Sequence, residues 1–234
     1  PQAIQPGALN LTDRLHTLLN SMNIDAKSLG FNALEYAKLG ELLYRCGHLG
    51  WAHLSYQAAI EKSPGHTASL GSLTHLAKQE GNVELQLDWI EKMINHDPDN
   101  SDLLRSHASL IIQSGVDEER AERDMLRLEA MGADTPADQS LLSGLRSRSG
   151  SPKEAIERLE KVLEAEPNRS EDWLFKAKLH VELSEFEEAQ LSVEEAIRSN
   201  RQFGEAWALK AKLLADNPLH QEDALRASRH AVAL

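Results

Sequence analysis

The sequence predicts an all-α fold in which about six helix-turn-helix units stack into an α-solenoid. Three observations predict it. The stretch Ser170–Phe203, SEDWLFKAKLHVELSEFEEAQLSVEEAIRSNRQF, carries two apolar patterns of helical period on either side of a short polar interruption. Its residue pattern recurs before and after it at steps of 34. Aromatic residues make up only 5% of the chain, few for one thick core but suited to thin layers between paired helices.

Within that stretch, Trp173, Lys176, Ala177 and His180 share one stripe, and Ala189, Val193, Ala196 and Ile197 make a second at i, i+4, i+7 and i+8. Leu183-Ser184-Glu185-Phe186 separates them as a tight turn. A lone hairpin cannot bury both stripes, so each copy needs a neighbour on either side, and the array continues as one elongated body. Laid out at the same step, the chain divides into 33–66, 67–100, 101–135, 136–169, 170–203 and 204–234, with one extra residue in the third window and one in the turn of the sixth. Position 8 of the repeat is then small throughout: Gly40, Thr74, Ala108, Ser143, Ala177 and Ala211. Position 20 reads Ala52, Gln86, Ala121, Ala155, Ala189 and Ala224. Side chains of this size are required where two helices cross closely. Position 4 supplies the large wedge between hairpins, as Tyr36, Leu70, Leu104, Gln139, Trp173 and Trp207. Pro64, Pro98 and Pro167 stand where a second helix should stop.

Residues 1–32 precede the repeats. Pro1 to Gly7 reads as a loosely attached lead-in, while Leu11, Leu15, Leu18, Leu19 and Met22 share a helical face and predict a helix that caps the first hairpin. In the third window the lengthened turn from Gly115 to Arg120 and the ending Gly132-Ala133-Asp134 predict an irregular hairpin and a hinge. Turns are expected at Gly47-His48-Leu49-Gly50, Gly81-Asn82, Ser149-Gly150 and Asp216-Asn217-Pro218. Ser151-Pro152-Lys153-Glu154 predicts a helix start with a capping serine. The start at Pro1 and the stop at Leu234 inside a second helix suggest a piece of a longer protein.

An aromatic or leucine at position 4, a small residue at 8, alanines at 20 and 27 and proline at 32 together resemble the tetratricopeptide repeat family, over about 200 of the 234 residues. Departures are Gln139 for the aromatic in the fourth unit, Gln86 and Met93 for alanines in the second, and Arg201 for proline in the fifth. The resemblance implies a right-handed superhelix whose first helices line a concave groove for a peptide or partner segment. It implies that positions 2, 5, 9, 12 and 13 face that groove.

Position 5 is mostly small here, as Ala37, Gly71, Arg105, Ser140, Leu174 and Ala208, which leaves room over the floor. The candidate groove residues are Tyr44, His75, Lys78, Arg105, Ser109, Ser140, Arg148, Lys178 and Lys212. Their cations suit an acidic partner, since arginine offers a planar fork and lysine a mobile point charge. The alternative is that they pair with Asp102, Glu171 and Glu182 and only solubilise the surface. The carboxylate clamp of some family members is not evident, because Ala37 and Glu41 stand where it has lysine and asparagine. Position 6, from Lys38 and Ser72 to Leu209, lacks the asparagine ladder of others.

Other classes are excluded by what the chain contains. A net charge of −12 repels nucleic acid and anionic membrane, and no run of about 18 apolar residues could span a bilayer. A single cysteine, Cys46, allows neither an internal disulfide nor a cysteine cluster and reads as a buried thiol. No phosphate loop, dinucleotide turn, HExxH or Gly-x-Ser-x-Gly is found, the histidines are scattered, and Glu187-Glu188 and Glu194-Glu195 read as an outward, solvated face. We therefore expect no catalysis, cofactor or metal, but a protein-protein interaction scaffold. The alternatives are an accessory repeat domain of a larger enzyme or membrane-anchored assembly factor, and self-association through an end hairpin. Cytoplasmic and periplasmic-type compartments both fit.

Overall fold

A computed structural model describes residues 30–215 and 220–234, so the expected capping helix and the turn at Asp216-Asn217-Pro218 lie outside the described residues. The architecture is an all-α solenoid of paired hairpins, with no strand among the described residues. In chain order the helices are α1 (Ala33–Arg45), α2 (Leu49–Lys62), α3 (Thr67–Gln79), α4 (Val83–His96), α5 (Ser101–Ser114), α6 (Glu118–Ala130), α7 (Pro136–Arg148), α8 (Pro152–Ala165), α9 (Ser170–Glu182), α10 (Phe186–Ser199), α11 (Gly204–Ala215) and α12 (Gln221–Ala233). The chain divides into two compact units at Ala121/Glu122, within the third repeat, where the sequence departs most from the pattern. In unit 1, α1 pairs with α2 and α3 with α4, and α2 and α4 pack on the next first helix. Unit 2 repeats the arrangement with α7/α8, α9/α10 and α11/α12.

Local chemistry starts and stops these helices. Asn32 accepts from the Glu35 amide at 3.0 Å while the Glu35 carboxylate accepts from the Asn32 amide at 2.9 Å, a reciprocal cap that Thr135 and Asp138 repeat on α7. Asn82 and Asn100 cap α4 and α5. Ser151 precedes α8 without a side-chain cap bond, contrary to expectation. Its would-be partner Glu154 is drawn instead to Arg146 at 3.4 Å and Arg158 at 3.9 Å.

Each hairpin turn from the first to the fifth passes through one left-handed residue at repeat position 15: Gly47, Gly81, Gly115, Gly150 and Ser184. Glycine fits that conformation without a Cβ clash, and Ser184 at φ 63° does not. The third turn absorbs its extra length with a second left-handed residue, Asp117 at φ 50°.

The small residues meet where the register placed them. Ala52, Ala121, Ala155 and Ala189 are fully buried, as are Ala108, Ser143 and Ala177 at position 8. At Gly40 an added Cβ would stand 2.7 Å from the Tyr56 ring, so the smallest residue at position 8 accommodates a tyrosine of α2. Large residues at position 4 take two forms. Tyr36, Leu70 and Leu104 are fully buried. Trp173 and Trp207 are half-buried and donate their indole N–H groups to the carbonyls of Pro167 (2.8 Å) and Arg201 (2.9 Å). The bond needs only a carbonyl at position 32, which explains why arginine replaces proline there. Gln139 forms a polar wedge, donating to Asp134 at 2.9 Å and accepting from Arg158 at 3.0 Å.

Two ion pairs recur one repeat apart: Lys176 with Glu160 at 2.8 Å and Lys210 with Glu194 at 3.0 Å. Glu194 therefore reaches the next hairpin while its side chain stays 42% exposed, so the outward carboxylate face also carries an ion pair between hairpins; Glu187 and Glu188 are exposed.

Candidate functional site

The first helices of unit 1 bring several of the sequence-predicted residues together. Tyr44 ends α1, and its hydroxyl lies 3.1 Å from His75 Nε2 and accepts from Gln79 Nε2 at 2.9 Å. The two rings meet edge to face, centroids 6.0 Å apart. Gln79 Nε2 also lies 3.3 Å from His75 Nε2, and since an amide nitrogen only donates, that contact makes His75 Nε2 the acceptor and the Tyr44 hydroxyl its other donor. On α5, Gln113 donates to Ser109 Oγ at 3.1 Å. Arg105 lies 3.5 Å from Asp102 one turn away on its own helix. Lys78 is exposed and has no ion pair among the described residues.

Beside this network, α3, α4 and α5 enclose a pocket of about 480 Å³. Gly71, His75 and Lys78 come from α3, Ile90 and Met93 from α4, and Leu103 and Ser109 from α5. An added Cβ at Gly71 would meet nothing within 4 Å, so the glycine opens space rather than permitting a close helix contact. Sequence reasoning placed His75, Lys78 and Ser109 on one face but missed the apolar wall. The available signal was the pair of departures at Gln86 and Met93, two larger residues where the repeat has alanines.

In unit 2 two of the predicted residues, Ser140 and Lys178, are drawn into a hydrogen bond and an ion pair. Asp172 is buried, accepts from Ser140 Oγ at 2.9 Å and is paired with Arg169. The Asp172 bond holds the Arg169 guanidinium above its ordinary pKa, against the opposing effect of burial. Lys178 lies 3.3 Å from Glu205 of the next hairpin, not from Glu171 or Glu182. Arg148 and Lys212 are exposed, and Lys212 has no ion pair among the described residues. A second pocket, of about 430 Å³, is lined by Glu194, Trp207, Lys210 and Asp223, with His230 stacked on Trp207 at 4.7 Å. A third, of about 420 Å³, lies between α2 and α4 and includes Glu61, Lys92 and His96.

Two further groups titrate away from their ordinary values. Burial raises the Tyr56 hydroxyl, partly offset by a bond with Ser72. Hydrogen bonds from Arg158 lower Glu129. Among the described residues no group of histidine, cysteine and carboxylate side chains could hold a metal ion, and no helix is long and apolar enough to cross a membrane.

Paired antiparallel helices, small residues at their crossings and a polar first-helix surface define a helical-repeat interaction scaffold. The family model described as Tetratricopeptide repeat matches residues 147–213, and the same paired-hairpin architecture recurs outside that span among the described residues.

Solved structures share the fold. MamA from Desulfovibrio magneticus RS-1 superposes with a TM-score of 0.62 at 12% identity, covering 70% of this chain and 92% of that one. YrrB, described as a TPR protein with an unusual peptide-binding site, gives 0.58 at 14% identity over 76% and 91%. Pseudomonas aeruginosa PilF gives 0.56 at 18% identity over 83% and 88%. At these identities the likeness shows the fold alone. Among curated proteins, none matches the sequence.

Proposed function

We propose that this protein is an adaptor that holds an extended segment of a protein partner against the first-helix faces of its repeats. The Tyr44–His75–Gln79 network beside the pocket at Gly71 carries this reading. Exposed donors and acceptors there border a cavity, which is what a peptide backbone and its side chains require. A protein of like fold described as having a peptide-binding site supports it. Lys78 and Lys212, which have no ion pair among the described residues, favour an acidic segment.

The test is the affinity of a captured and identified partner for the wild type and for Gly71→Trp. A Cβ added at this half-buried, pocket-lining position meets nothing within 4 Å, so the ring is expected to occupy the pocket. Binding should weaken at least about tenfold; unchanged affinity removes this face from the account.

A second reading, self-association through the last hairpin, is favoured by Leu225 and Val232, which stand exposed on α12. Light scattering over a concentration series should then show dimer, and monomer throughout would reject it.

A further inference from the structure

Three pockets differ in the charge around them. Those that include Glu61, or Glu194 and Asp223, offer a cation and an anion together and select no ligand charge. The pocket between α3, α4 and α5 differs. None of the described residues that line it is acidic, in a chain with 37 acidic and 25 basic residues. Its rim carries Lys78 and His75, one helical turn apart on α3. Its walls are apolar at Ile90, Met93, Leu103 and Leu110.

Lys78 also stands apart from other lysines near it in sequence or role. Lys92 lies over the Trp89 ring at 3.9 Å, Lys176 is held by Glu160 at 2.8 Å, Lys178 by Glu205 at 3.3 Å and Lys210 by Glu194 at 3.0 Å. Lys78 has no such contact among the described residues, so its ammonium is available to a ligand. An ammonium beside an apolar wall attracts a carboxylate more strongly than one in open water, because the wall lowers the local dielectric.

We propose that this pocket is an anchor subsite for a partner segment that carries a carboxylate side chain and an apolar side chain two residues apart. The inference rests on the adaptor reading and names the chemistry of its ligand. A cavity of about 480 Å³ exceeds the volume of one side chain, so a single carboxylate does not fill it. In an extended chain, residues i and i+2 point to the same side, roughly 7 Å apart. One can then rest on Ile90, Met93 and Leu103 while the other meets Lys78. The lysine's flexible stem lets the charge follow the carboxylate. His75 is held by Tyr44 and Gln79, which fixes the neighbouring edge of the site.

The experiment uses the whole chain on an array of random nine-residue peptides, read with wild type, Gly71→Trp and Lys78→Glu, with thermal melts confirming that each variant is folded. Wild type should retain peptides enriched in Asp or Glu two residues from Leu, Ile, Val or Phe. Gly71→Trp should lose them. Lys78→Glu should bind them at least tenfold more weakly and gain peptides with Lys or Arg at the acidic position. If Gly71→Trp blocks retention but Lys78→Glu keeps the acidic preference, the subsite inference falls and the adaptor reading stands. If no peptide is retained, or Gly71→Trp retains what wild type does, both fall.

Discussion

In unit 1 the first-helix residues beside the pocket, Tyr44 with His75 and Gln79, and Ser109 with Gln113, hold one another through hydrogen bonds between side chains without a carboxylate, while Arg105 and Asp102 pair nearby. In unit 2 the corresponding surface is held by charge: Asp172 by Arg169 and Ser140, and Lys178 by Glu205. The two solutions order the side chains equally well but leave different surfaces. A neutral network orders polar groups without consuming the charge beside it, so Lys78 stays available. An ion-paired network satisfies its own charges, so a count of cations in the sequence overstates what is offered to a ligand.

The largest expected difference follows from burial. Asp172→Ala removes a buried carboxylate that accepts from Arg169 and Ser140, which keep Glu166 and the Pro136 carbonyl as second acceptors, a loss of about 1.5–3 kcal/mol for hydrogen bonds to a charged group. Tyr44→Phe removes a hydroxyl from an exposed network and should cost no more than about 0.5 kcal/mol. Urea unfolding of the two variants measures both. Equal losses would erase the distinction between a network that supports the fold and one that only shapes a surface.

A smaller effect of opposite sign is expected at Ser184, among the described residues the one left-handed residue at repeat position 15 that is not glycine. Ser184→Gly should raise stability by about 1 kcal/mol, because the Cβ clash of the left-handed conformation outweighs the extra chain entropy of glycine. A rise in the urea midpoint with unchanged slope confirms it. A fall would mean that the serine hydroxyl or its packing matters more than its backbone strain.

The paired-hairpin fold was legible because each requirement leaves a mark in every copy. A helix that buries one face shows a 3.6-residue period, and a close helix crossing shows a small residue, from Gly40 to Ala177. The turns were legible at the four glycines and at Leu183-Ser184-Glu185-Phe186 alike, but at Ser184 the backbone enforces a left-handed conformation that the residue does not advertise. Capping was overread at Ser151, since Glu154 has a partner across the hairpin in Arg146, which no local motif reveals, besides Arg158 one turn on in its own helix. The pocket was least legible. Its walls come from three helices, and its depth depends on Gly71 having nothing opposite it, a fact about space rather than about residue type. Pairing was equally obscure, because Lys178 reaches Glu205 of the next hairpin although Glu171 and Glu182 are nearer in sequence.

The smallest predicted effect concerns pH and sharpens the contrast on the charged side. Glu129 accepts from Arg158 at 3.0 and 3.1 Å, and that bond lowers its carboxyl pKa below the usual value, against the opposing effect of burial. A lowered folded-state pKa stabilises the fold above the unfolded carboxylate value. The contribution is lost as pH falls through the lowered value, because the folded state then takes up the proton. Glu129→Gln should therefore lie below wild type in stability at neutral pH and converge with it in acid. The gap should be small and shrink with added salt, since the Glu129 side chain is 39% exposed and solvent screens the pair. Urea midpoints across a pH series at low and high salt test this. A gap that persisted unchanged into acid would assign the Arg158 contact to packing and hydrogen-bond geometry rather than charge, and would bring this part of unit 2 closer to the neutral networks of unit 1.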